Sequence, residues 1–211
     1  NSYACRSIGT DAFQWGVFHP GGDVLYNAYL PCDMLLNSYA SNDIRGHEKQ
    51  FFFKQYTDAE GKTYTLNNAG NWAWFDENAL ISGHDGDYNM PVFRFAEVLL
   101  LYAEACAQTS DPDGANYALK LIRKRAGLQE KTFAQEELMT EIEHQCLLEF
   151  FGEGHRFYDL KRWYSVSEIQ LILKANGKQG AENFQEKHLY YPIPTSELNN
   201  NTAMEQTSLW K

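Results

Sequence analysis

The stretch EFFGEGHRFYDLKRW, residues 149–163, holds one His, three acids, three bases and two glycines. These are residue types of general acid–base catalysis, which needs side chains converging within hydrogen-bond reach of one reacting atom. With 155–163 as a helix, His155 and Asp159 share a face at i, i+4, while Glu153 sits in the break before it. The pair has no nucleophile beside it, because Ser165 lies in no recognisable elbow. A structural account fits the spacing better. Gly152 and Gly154 let the chain turn between two helices. Arg156–Asp159 and Asp159–Arg162 are spaced i, i+3 for ion pairing, and Phe157, Leu160 and Trp163 form an apolar stripe. No catalytic residue is assigned.

Metal and cofactor chemistry find less support. The six His residues make no H-x-x-x-H pair. His84-Asp85-Gly86-Asp87 and Asp111-Pro112-Asp113 lack the ligand series of a calcium loop, and turn chemistry or helix capping accounts for both. There is no phosphate loop and no dinucleotide fingerprint, so neither a metal nor a cofactor is expected. Two carboxylates of the glycosidase kind can lie far apart in a sequence, and 28 acidic residues single out no pair.

Aromatic residues are the remaining signal: 13 Phe, 13 Tyr and 5 Trp make up 15% of the chain, more than a helical core needs. Tyr3, Phe13, Trp15, Phe18, Trp72, Trp74 and Phe75 stand in irregular segments beside Gly and Asn. Such rings stack on the C–H faces of sugars or on bases, with Asn and Asp bonding hydroxyls. They equally staple loops onto a core, and residue type does not separate the two uses. The candidate ligand contacts are Trp15, Trp72 and Trp74 by stacking and Asn71 by hydrogen bonding.

The elements that would carry these residues change character near residue 90. Residues 1–90 are rich in Gly, Asn, Asp and rings, whereas 91–174 are helical in pattern. Pro31 followed by CDMLLNSYA predicts a short helix with proline at its first position. FFFKQY and TYTL flank a polar turn with Gly61 and predict a β-hairpin over 51–66; NNAGNWAWF (67–75) reads as a loop or short strand. Phe95, Val98, Leu99, Tyr102 and Ala105 follow the helical period. Ala96, Leu100, Ala103 and Ala107 are apolar on the other flank, so this helix is expected to be sandwiched between others. After SDPDG comes a helix through Ala118, Leu119, Ile122 and Ala126, with Arg123-Lys124-Arg125 at its negative end and Gly127 as its C′ residue. Thr132-Phe133-Ala134-Gln135 reads as a capping box for a third helix to about Phe151. Shorter helices follow over 155–163 and 165–174, and the tail is punctuated by proline.

The expected fold is mainly α, a helical array with irregular loops and a small hairpin. It forms one structural domain, with an aromatic-rich ligand-platform segment over 1–90 and a helical core with an extended tail over 91–211. The net charge of −10 argues against binding a phosphate backbone or an anionic membrane surface. Cys106 and Cys146 fall in apolar helical patterns and read as small buried hydrophobes; a bridge between Cys5 and Cys32 stays open.

Four stretches, in order and spacing, resemble landmarks of the SusD/RagB family: RFAEVLLLYAEA (94–105), ALKLIRKRAGL (118–128), LEFFGEGHRFYDLKRW (148–163) and LYYPIPTSELNNN (189–201). PCDMLLNSYASNDIRG (31–46) resembles the segment ahead of the family's aspartate–arginine turn. The resemblance implies a tetratricopeptide-like scaffold with the ligand platform on irregular segments, and a chain corresponding to the C-terminal portion of a longer protein. It further implies a Bacteroidetes outer-membrane lipoprotein, lipid-anchored and facing outward. Such a protein binds glycans without cleaving them and passes them to a SusC-like TonB-dependent transporter. The alternative is a peptide-binding or purely protein-interacting subunit of the same uptake complex. One departure is that Gln145-Cys146 stand where the family carries Glu-Arg, which removes an ion pair.

Overall fold

The computed structural model describes residues 31–57, 61, 63–73 and 91–211. It is mainly helical, with a two-stranded sheet. The chain divides into two compact units, Asn1–Gly154 and His155–Lys211. The change of character near residue 90 falls at the edge of the undescribed residues 74–90.

In the first unit, helix α1 (Asp33–Ser38) starts from Cys32 as N-cap, so Pro31 precedes the cap instead of occupying the first helical position. Strands β1 (Phe52–Thr57) and β2 (Thr63–Asn71) pair antiparallel, joined through Gly61 at φ 83°. Gln55 faces Thr65, whereas Phe53 faces Gly70, so the register shifts between Phe53 and Gln55. β2 thereby absorbs most of the stretch whose sequence reads as loop or short strand. Gly70 is required there: a Cβ would lie 2.5 Å from the Phe53 ring.

Helices α2 (Phe95–Gln108), α3 (Pro112–Arg125) and α4 (Gln135–Glu149) pack on one another. Leu100, Ala103, Ala115, Ala118, Leu119, Ile122, Leu138 and Ile142 form their buried contact. Asp111 caps α3 by accepting the Gly114 N–H at 3.0 Å, with Pro112 inside the first turn. The helix ends in a Schellman motif, in which Leu128 N–H donates to the Arg123 carbonyl and Gly127 N–H to the Lys124 carbonyl. Gly127 has φ 73°.

Two expectations are corrected here. Helix α4 is capped at Ala134, not Thr132, with Glu137 accepting the Ala134 N–H at 3.0 Å. Asn116 on α3 is the reason: its side chain accepts the Phe133 N–H at 2.8 Å and donates to the Phe133 carbonyl at 3.0 Å. That clamp occupies both backbone groups of Phe133 and leaves the helix to begin after it. Helix α2 is also not sandwiched within the described structure. Its Ala96–Leu100–Ala103–Ala107 flank is buried, while Phe95, Val98, Leu101 and Tyr102 stand exposed beside Val92 and Phe93.

The hairpin joins this array through a second cluster, in which Phe52 and Ala69 pack with Leu35 of α1 and Leu148 of α4. Phe52 meets Phe151 at 4.9 Å and Tyr39 at 5.7 Å between centroids. Tyr39 Oη donates to the Leu148 carbonyl at 2.7 Å.

The second unit holds α5 (His155–Trp163), α6 (Val166–Ala175), α7 (Thr195–Asn200) and short 3-10 turns. Ser165 and Glu168 form a capping box at the start of α6. Of the i, i+3 spacings foreseen on α5, Asp159–Arg162 closes at 3.2 Å. Burial raises the Asp159 carboxyl above its ordinary value, and Arg162 only partly offsets it.

Candidate functional site

The site is built on the segment between α1 and the hairpin. Asp43 caps a 3-10 turn, Ile44–Gly46, by accepting the Arg45 N–H at 3.0 Å. The same carboxylate grips the Arg45 guanidinium, with Nε at 2.9 Å and Nη2 at 2.7 Å. Arg45, itself 3% exposed, reaches across to α4, where Nη1 donates to Glu149 Oε2 at 3.1 Å and Nη2 to Gln145 Oε1 at 2.9 Å. Arg125 from the end of α3 also donates to Glu149 Oε2. Arg94, N-cap of α2, gives Nη1 to Glu149 Oε1 at 2.9 Å and holds Glu153 through Nε and Nη2 at 2.8 and 2.6 Å. One buried carboxylate therefore collects three guanidinium groups, in the arrangement that compensates a buried charge.

Burial works against the charge on Arg45, yet the bonds to Asp43 and Glu149 outweigh it and hold the guanidinium above its ordinary value. Arg94 behaves alike, with Glu153 and Glu149 overriding its desolvation. Gln145 is fully buried and donates to Glu141 at 2.9 Å while accepting from Arg45. The departure at position 145 thus keeps the Arg45 contact with a neutral acceptor at an interior position.

This clasp fixes the turn that carries the ring. The Arg45 carbonyl accepts the Phe51 N–H at 3.3 Å, and the Phe51 carbonyl accepts the Trp72 N–H at 2.9 Å. Trp72 is half-buried at the end of β2, edge-on to Phe53 with centroids 5.3 Å apart. Lys49 stands in the left-handed region at φ 61°, its N–H donating to the Phe52 carbonyl at 2.8 Å, and sets Nζ 5.3 Å over the Trp72 ring.

Of the residues singled out in the sequence, Asn71 and Trp72 lie next to one another at the hairpin's end. Asn71 is only 3% exposed, so its amide belongs to the interior and is not presented to a ligand at the surface. Trp15 and Trp74 lie outside the described residues. Lys49 and Phe53 escaped sequence reasoning because only strand pairing brings them to Trp72. Within the stretch 149–163, Glu149 and Glu153 are committed to arginines, leaving the acid–base reading without free carboxylates at its start. Cys32 is a free thiol, as are the buried Cys106 and Cys146. Among the described residues, no group of three His, Cys, Asp or Glu side chains is placed to hold a metal ion, and no helix is long and apolar enough to cross a membrane.

The sequence model of the SusD family matches residues 48–210. The starch-binding protein SusD of Bacteroides thetaiotaomicron is 35% identical over 131 residues, which are 59% of this chain and 22% of that protein. A SusD superfamily protein from Parabacteroides distasonis superposes with a TM-score of 0.67 at 23% identity, covering 89% of this chain and 43% of its own. Surface glycan-binding protein A from Bacteroides uniformis gives 0.63 at 21% identity, covering 90% and 43%. At these identities the structural likeness is one of fold. The chain spans less than a quarter of the curated relative and less than half of either solved chain.

Proposed function

The chain belongs to the SusD family, and from that membership we propose that it binds glycans at the outer-membrane surface for delivery to a SusC-like TonB-dependent transporter. The observation that carries the reading is the family match over 48–210, reinforced by 35% identity to a protein named for binding starch. The local geometry supports it. Trp72 sits at the surface end of a hairpin whose supporting turn is locked to α4, a preorganised ring of the kind that sugar stacking uses. In this reading Trp72 stacks and Trp15 and Trp74 extend the platform.

The protein acts by binding and not by cleavage, so a polysaccharide panel is expected to release no reducing ends. Affinity electrophoresis tests the site: Trp72→Ala and Trp74→Ala are each expected to lose retention in gels containing the bound polysaccharide. Unchanged mobility for both variants removes the assignment. A second reading, a protein-contacting subunit of the same uptake complex, is favoured by the exposed apolar face of α2. It calls for co-purification with a transporter barrel and for no saccharide retention at all.

A further inference from the structure

Lys49 is an unusual neighbour for a sugar-stacking ring. A long side chain seldom occupies the left-handed region, and residues held there by surrounding structure concentrate at functional sites. Lys49 is held by its own N–H to the Phe52 carbonyl and by the turn closed from Gln50 N–H to the His47 carbonyl. The result is an ammonium 5.3 Å over the indole of Trp72.

Among the described residues, no acid lies within salt-bridge distance of Lys49, in a chain where Asp and Glu outnumber Lys and Arg by 28 to 18. Its neighbour Glu48 is engaged elsewhere: Oε1 accepts the backbone N–H groups of Lys54 and Gln55 at 2.8 and 2.9 Å. The ring and the cation hang from one short piece of backbone, since the Trp72 and Lys49 amides bond to the successive carbonyls of Phe51 and Phe52.

We propose that the Trp72–Lys49 pair selects an anionic saccharide, one bearing a uronate carboxylate or a sulfate ester next to the ring face that stacks. The inference rests on the glycan-binding reading above and narrows its substrate class. The indole supplies the apolar face for the sugar's C–H bonds, and the ammonium swings from the ring to the anion, exchanging a weak cation–π contact for a charge-assisted hydrogen bond. A neutral sugar meets the same ring but offers the ammonium no anion to exchange the indole for.

The test is calorimetric titration of the intact natural protein with three probes of similar length: an oligogalacturonide, a sulfated carrageenan oligosaccharide and a neutral malto-oligosaccharide. At least one anionic probe is expected to bind about tenfold more tightly than the neutral one, and the two anionic arms separate carboxylate from sulfate. Lys49→Gln keeps a polar side chain and loses the charge; it is expected to abolish that preference. The preference is also expected to shrink near 1 M salt, where the screening length falls to about 3 Å. Binding of the neutral probe as tightly as both anionic ones, or an undiminished preference in Lys49→Gln, overturns this inference and leaves the glycan reading standing. Absence of binding by all three probes sinks both.

Discussion

Two cations on one short turn, Arg45 and Lys49, meet opposite fates. Arg45 is 3% exposed and gives its donors to Asp43, Gln145 and Glu149. Lys49, four residues on, is exposed and faces a ring. Buried charge is tolerable only where paired, so the first position is structural in a strict sense: its partners cannot be altered without leaving an uncompensated ion. The exposed position carries no such obligation. Its contact with the indole is weak enough to be exchanged for a ligand, while the clasp beneath keeps the turn in place for that exchange.

The contrast yields graded expectations. Glu149→Gln keeps the shape but removes the charge that faces Arg45, Arg94 and Arg125. It is expected to destabilise the protein by about 3–5 kcal/mol in urea unfolding. A loss below about 1 kcal/mol would mean that the three guanidinium groups find water on their own, and the contrast with Lys49 would collapse.

Tyr39→Phe removes the hydroxyl that bonds the end of α1 to the Leu148 carbonyl of α4, at an expected cost of about 1 kcal/mol. Burial also raises the Tyr39 phenol above its ordinary value. A raised folded-state value means that the contribution is complete below the ordinary phenol range and is lost as pH rises beyond about 10. Stability of the parent protein should therefore fall more steeply on the alkaline side than that of Tyr39→Phe, as followed by thermal melts across pH. The smallest effect belongs to Lys49→Gln, where an exposed cation–π contact gives up about 0.5–1 kcal/mol at most. That near-neutral stability makes the variant suitable for the binding comparison.

The helical core was legible in the sequence wherever the cause is local. Apolar period and Gly127 place the body and the end of α3 because periodicity and left-handed backbone act within one turn of chain. Its start, read as following SDPDG, lies at Pro112 inside that stretch. Reading failed where a distant group intervenes. The start of α4 moved by two residues because Asn116 claims Phe133 from 17 positions away. The two apolar flanks of α2 look equivalent as a pattern, and packing buried only one of them.

For the candidate site, sequence by itself determined that Asn71 and Trp72 stand side by side, that Gly61 closes a hairpin, and that the landmarks follow one family in order. Tertiary structure alone decided that Glu149, drawn from the most catalytic-looking stretch of the chain, is a buried anchor. It alone buried Asn71 and set Lys49 over the ring. The physical reason is range. Helix periods and turns are fixed by groups within a few residues, whereas Arg45 and Glu149 lie 104 residues apart and acquire their roles only when folding removes water from between them.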